Sequence, residues 1–278
     1  MKASPHCPLQ VSHVGIDRDV ICHRLRLPDT ASFEARLRER CGAGARTIIG
    51  GVEMLTPLQG SNLKLQAYEL LLKNYPVWRR SVTMVQVCFA DAARFDESAS
   101  QSMENRATVH RIRERFGAEA IHYLEVGHEI AVDEWSVNFR LALFRLFDVL
   151  LNCATKDGLN LLPFEFVLTK NVQNASGIVV LSEFVGCSHV LNGGIRVNPF
   201  YLEQACPLLA APSLHLLTRT WSTAASFYAS APLELLDLSD RWLSNSTQRS
   251  RCRMTSALRA LPRTIGSSPK IRPHLGCT

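Results

Sequence analysis

Residues 149–168 read VLLNCATKDGLNLLPFEFVL, and this run sets the fold. Val149 to Cys153 is a short apolar run of strand type. Ala154 to Asn160 holds Asp157-Gly158 and Asn160, residue types that turn a chain and bond their own backbone. From Leu161 to Leu168 an apolar helical pattern resumes, with Pro163 near its start, where a helix tolerates proline. The order strand, polar loop, helix is half of a βαβ unit.

Working outward, the same alternation recurs. Arg46 to Val52 (RTIIGGV) is a β-branched run ending in glycines, and Asn62 to Asn74 places leucines at near-helical spacing. Val82 to Cys88 is a second apolar strand, followed by a polar helix through Met103 to Phe116 that stops at Gly117. Ala120 to Leu124 predicts a third strand, and a Val137 to Phe147 helix leads into the Val149 strand. Gly177 to Leu181 and Gly194 to Val197 predict two more. Strands separated by helices predict a doubly wound, mostly parallel Rossmann-like α/β sheet with helices on both faces. In such sheets ligands sit beyond the carboxyl ends of the strands, near helix N-termini. The loops to read are therefore Gly51–Gly60, Cys88–Arg94, Ala154–Asn160 and Ser182–Cys187.

Composition narrows the class. Apolar residues make up 46% and charged ones 20% of the 278, which suits an ordinary globular core. The most apolar helix candidate, Phe139 to Leu151, is broken by Arg140, Arg145 and Asp148, so no membrane span is expected. The start, MKASPHCPLQVSHV, has no apolar signal region, and a cytoplasmic protein is expected. The 9 cysteines form no CxxC pair, read as reduced thiols. Cys187-x-His189 and His6-Cys7 lack a second pair at zinc spacing, so no metal site is expected. His110 and His122 read as structural.

The formal net charge of +6 is misleading. Arg241, Arg249, Arg251, Arg253, Arg259, Arg263, Lys270 and Arg272 are unopposed by any acid after residue 240, which leaves residues 1–240 at a formal −2. Basicity belongs to a Ser/Arg/Pro-rich tail of irregular, solvated type. No aromatic residue follows Trp242, which argues against nucleic acid.

Four of these segments, in order, resemble the trehalose-6-phosphate synthase family of glycosyltransferases. The first is Thr47-Ile48-Ile49-Gly50-Gly51-Val52-Glu53 through Gly60, Leu63-Lys64-Leu65 and Glu69, preceded by His13-Val14-Gly15-Ile16-Asp17 and Leu27-Pro28-Asp29-Thr30. Tyr75-Pro76-Val77-Trp78 and Val85-Gln86-Val87 follow. The most specific is Asp157-Gly158-Leu159-Asn160-Leu161-Leu162-Pro163-Phe164-Glu165-Phe166. Last come Val180-Leu181-Ser182-Glu183-Phe184-Val185-Gly186-Cys187-Ser188 and Ile195-Arg196-Val197-Asn198-Pro199. The Pro163-Phe164 pair and the Gly186-Cys187-Ser188 run are similar to the divergent plant-like branch.

The resemblance implies one half of a two-domain GT-B-type enzyme. Its reaction is a retaining transfer of glucose from UDP-glucose to glucose 6-phosphate, with no cofactor. Departure of UDP builds charge on a diphosphate, which cations or helix N-terminal amides must meet. That role falls on the amides of Gly158, Leu159, Asn160, Leu161 and Leu162. Asp157 is expected to bond hydroxyls of the donor glucose, and Glu165 the ribose hydroxyls. The domain division implied is 1–44 linker and remnant of the preceding domain, 45–205 nucleotide-sugar-binding Rossmann-like domain and 206–278 a divergent, basic, poorly ordered tail.

The same resemblance shows departures. The family's arginine and lysine that clamp the diphosphate fall on Met54 and Gln59, and its aspartate is Glu53. The arginine for the acceptor phosphate falls on Ala92, with Arg94 two residues on. The family's acceptor domain would precede Met1. The expected function is therefore a trehalose-6-phosphate synthase-like domain impaired on its own. The alternatives are a non-catalytic nucleotide-sugar-binding or regulatory protein, partnered by an intact synthase subunit, or a fragment with no independent role.

Overall fold

The computed structural model describes residues 15–41, 46–90 and 94–201. Expectations for residues 1–14, for Ala92 and for the tail after 201 lie outside the described residues. The elements run α1 (Arg18–Leu25), α2 (Pro28–Arg40), β1 (Thr47–Met54), α3 (Ser61–Asn74), β2 (Val82–Phe89), α4 (Phe95–Phe116) and β3 (Ile121–Glu125). Then follow α5 (Val137–Leu146), β4 (Val149–Asn152), α6 (Leu162–Val172), β5 (Ile178–Ser182), α7 (Cys187–Val190) and β6 (Ile195–Val197).

The six strands form one sheet in the order β3-β2-β1-β4-β5-β6, and every pairing is parallel. Burial on both faces explains why β1, β2, β4 and β5 are near-continuous apolar runs, while the edge strand β6 exposes Arg196. Alternate residues serve the two faces. Ile48, Val52, Val85, Val87, Leu150 and Val179 pack with α1, α2, α5 and α6. Ile49, Met84, Ile121, Val149, Leu151 and Val180 pack with α3 and α4. The sheet is thus doubly wound, as the alternation of strands and helices predicts.

Gly50 admits one helix-side neighbour: a Cβ there would lie 2.0 Å from the ring of Phe147, the buried residue that ends α5. On the other face, a Cβ on Gly51 would lie 2.3 Å from Lys64 Nζ and 2.4 Å from Gln86 Oε1. Both glycines are close-approach positions rather than turns. α5 starts on Ser136, whose hydroxyl accepts from the Phe139 amide at 3.3 Å.

Two differences from the sequence reading stand out. Residues 18–40, for which the sequence reading names no helix, form α1 and α2, which pack on α5 and α6 through Ile21, Leu25 and Leu37. α4 begins at Phe95, well ahead of Met103; Asp96 and Glu97 in its first turn suit the positive end of the helix dipole. No described helix is long and apolar enough to cross a membrane.

Candidate functional site at the switch point of the sheet

Chain order reverses between β1 and β4, so the loops leaving these two strands diverge to opposite faces and leave a crevice. Here the loops are stitched together at their base. Leu58 O accepts from the Thr155 amide at 2.8 Å and from its hydroxyl at 3.1 Å. Gly60 has φ +66°, and a Cβ on it would lie 2.1 Å from Cys153 O. Only glycine meets both demands at once.

The β4–α6 loop is tied equally well on its far side. Asp157 bridges Val185 in the loop after β5, and Gly158 O accepts from the Gly186 amide at 3.1 Å. Within the loop, Asp157 Oδ1 accepts from the Gly158 amide at 2.8 Å and Oδ2 from Asn160 Nδ2 at 3.0 Å. Asn160 Oδ1 in turn accepts from the amide of Leu162, the first residue of α6, at 2.9 Å. The residues expected to act together are therefore brought together.

Their amides divide into two groups. Those of Gly158, Asn160 and Leu162 are spent on Asp157, on Gly158 O and on the Asn160 side chain. The Leu159 and Leu161 amides bond none of the described residues and are the ones left for a ligand. Glu165, in the first turn of α6, is buried and held by both oxygens: Arg140 Nε donates to Oε2 at 2.8 Å and its terminal nitrogen to Oε1 at 2.9 Å. Sequence reasoning missed Arg140, since only the packing of α5 on α6 brings it there.

Across the crevice, Met54 ends β1, and Gln59 sits in a short turn at Pro57–Gln59. Neither carries charge. Glu53, one residue earlier, is turned into the core, where it pairs with the buried Lys64 and accepts from Gln86 Nε2 at 2.6 Å. Its negative charge is neutralised internally. Arg94 lies at the start of α4 and faces Glu97 at 3.8 Å, both more than half exposed. Among the described residues of the carboxyl-edge loops, Arg94 and Lys156 are the only lysines or arginines. Lys156 is exposed in the seam beside Leu58, another cation the sequence reading passed over.

The thiols at this edge are not poised as nucleophiles. Burial pushes Cys153 up to about 12 and Cys187 up to about 11, so both stay protonated near neutrality. Among the described residues, no three His, Cys, Asp or Glu side chains form a group able to hold a metal ion.

A doubly wound parallel sheet with a polar loop and a helix start at its switch point defines a class of open α/β proteins whose ligands sit beyond the carboxyl ends of the strands. The sequence narrows that class: the profile of glycosyltransferase family 20 matches residues 4–209, and the chain belongs to that family. It is 31% identical over 212 residues to UDP-forming alpha,alpha-trehalose-phosphate synthase 6 of Arabidopsis thaliana, covering 70% of this chain and 24% of the relative. An E. coli structure bound with UDP-2-fluoro glucose superposes with a TM-score of 0.65 at 22% identity, over 77% of this chain and 46% of that one. A Burkholderia xenovorans alpha,alpha-trehalose-phosphate synthase in complex with glucose-6-phosphate gives 0.66 at 22% identity, over 76% and 46%. The chain therefore spans about a quarter of the Arabidopsis relative and under half of these solved structures. It is a trehalose-phosphate synthase-like glycosyltransferase domain with the fold of one half of a GT-B enzyme.

Proposed function

We propose that this chain binds UDP-glucose at the β1/β4 switch point and acts as the donor half of a synthase that glucosylates glucose 6-phosphate. The observation that carries this reading is the loop 155–162, bonded to the start of α6 and tied to the loops after β1 and β5. It supports a donor-binding role because two uncommitted amides beside a helix start are what a diphosphate gathering charge would need. In this reading the bond from the anomeric carbon to the UDP oxygen breaks, the acceptor hydroxyl oxygen bonds to that carbon on the same face, and its proton leaves on the departing UDP phosphate. Asp157 orients the donor glucose, Glu165 the ribose, and Lys156 supplies the cation that Met54 and Gln59 do not. Arg94 is the candidate for the acceptor phosphate. No metal or cofactor enters the step, and a cytoplasmic setting goes with it.

A second reading is favoured by Met54 and Gln59: a nucleotide-sugar-binding protein without turnover, acting beside an intact synthase subunit. The two separate in one experiment. Calorimetric titration of the folded protein with UDP and UDP-glucose is expected to show saturable binding. A glucosyl-transfer assay with glucose 6-phosphate then decides between them. Transfer supports the donor half of an enzyme, and binding without transfer supports the regulatory reading. A folded protein that binds neither ligand would sink both.

A further inference from the structure

The ion pair between Arg140 and Glu165 is oddly placed for a simple helix tie. Arg140 lies in the first turn of α5, the positive end of that helix dipole, where a cation is disfavoured. Glu165 lies in the first turn of α6, where the dipole already favours its carboxylate. The side chains are only 19% and 11% exposed. A buried pair of this kind adds little net stability compared with apolar side chains of similar size. What it does supply is geometry. The two parallel hydrogen bonds at 2.8 and 2.9 Å fix the plane of the carboxylate. They also use one lone pair on each oxygen, leaving a second on each for an outside donor.

We propose that Arg140 is a positioning residue for the nucleotide's ribose. Its guanidinium locks the Glu165 carboxylate so that both oxygens accept from a vicinal diol. It also cancels a carboxylate charge that would otherwise repel the diphosphate bound at the same helix start. This rests on the donor-binding reading above and extends it from Glu165 to the residue that makes Glu165 usable. A site built to bond a hydroxyl rejects the analogue that lacks it, because its own buried acceptor is left unpaired.

The test is calorimetric binding of UDP and of 2′-deoxy-UDP to the full chain. Four variants are compared: R140M, R140K, E165Q and the R140M/E165Q double change. Each is checked for cooperative melting. The wild type is expected to prefer UDP by about 10-fold. R140M is expected to weaken UDP binding by about 10-fold or more and to reduce the preference to about twofold or less. R140K keeps the charge without the fork, so it restores affinity but only part of the preference. The double variant removes the stranded charge, regaining affinity without preference. A merely structural Arg140 would lower stability and leave the UDP to 2′-deoxy-UDP ratio alone, so an unchanged ratio in folded R140M or R140K overturns the proposal. A wild type that binds UDP without preferring it over the deoxy analogue overturns the role of Glu165 and this inference together. A folded wild type that binds no UDP overturns the donor reading itself.

Discussion

The two loops that meet at the switch point have had different fates. The β4–α6 loop carries Asp157-Gly158 and Asn160, whose bonds fix the loop's shape, and leads to Glu165, which is held by Arg140 of α5. The β1–α3 loop keeps its shape too, through Gly60 and the bonds from Leu58 O, but its side chains at 54 and 59 are neutral. Backbone geometry and charge are thus separable at one crevice. One side retains both, while the other retains geometry alone. Glu53, in turn, is committed to Lys64 and Gln86 and does not reach the crevice as a free carboxylate.

The largest effect should come from attacking the shared geometry. Gly60→Ala puts a Cβ against Cys153 O, a backbone atom that cannot swing aside, at a positive φ that alanine dislikes. The expected loss is about 2–4 kcal/mol, read from denaturant unfolding. A loss below about 0.5 kcal/mol, within ordinary surface scatter, would mean that the two loops are not clamped together.

Next in size is the chemistry of the retained side. Asp157→Ala removes the acceptor of the Gly158 amide and of Asn160 Nδ2, as well as the group expected to meet the donor glucose. UDP-glucose binding should weaken by about 1–3 kcal/mol, with UDP itself affected less. Equal losses for both ligands would assign Asp157 to loop shape alone and remove it from sugar recognition.

The comparison also explains what could be read from sequence. Five of the six strands were legible as apolar runs buried on both faces, too short for a helix, whereas β6 shows only Ile195 and Val197 around an exposed Arg196. The Asp157 loop was legible because turn and cap residues act locally. α1 and α2 were not: their charged sequences bury only a few apolar residues, Ile21, Leu25 and Leu37 among them. Asp96-Glu97-Ser98 reads as loop chemistry, yet it opens α4 because the acids favour a helix start. The partners of Glu53 and Glu165 lie 11 and 25 residues away. Nothing in local spacing selects Lys64 or Arg140, because the contact exists only once α3 covers β1 and α5 lies beside α6.

The neutral side offers a gain rather than a loss. Met54→Arg with Gln59→Lys restores two cations to a loop whose backbone is already in place. UDP affinity should rise by about 10-fold, within the range for charge-assisted bonds at a half-buried site. The gain should shrink as salt rises. Unchanged affinity would mean that positions 54 and 59 do not face the diphosphate, and the contrast between the loops would lose its functional meaning.

The smallest effect tests whether the seam itself carries charge. Lys156 is exposed, so whatever it contributes acts through water and is screened within about 10 Å at 0.1 M salt. Its backbone is nevertheless held beside Leu58, with the Lys156 amide 3.4 Å and the Thr155 amide 2.8 Å from Leu58 O, so the side chain starts from the seam rather than from a free loop. Lys156→Ala should therefore weaken UDP binding by about threefold at low salt and hardly at all at high salt, the magnitude of an exposed ion pair. In the Met54→Arg/Gln59→Lys background the same change should matter less, because the restored cations already meet the diphosphate. An effect of Lys156→Ala that is independent of salt would point to a direct, desolvated contact. No effect in either background would leave the Leu159 and Leu161 amides as the whole of the anion site on the retained side.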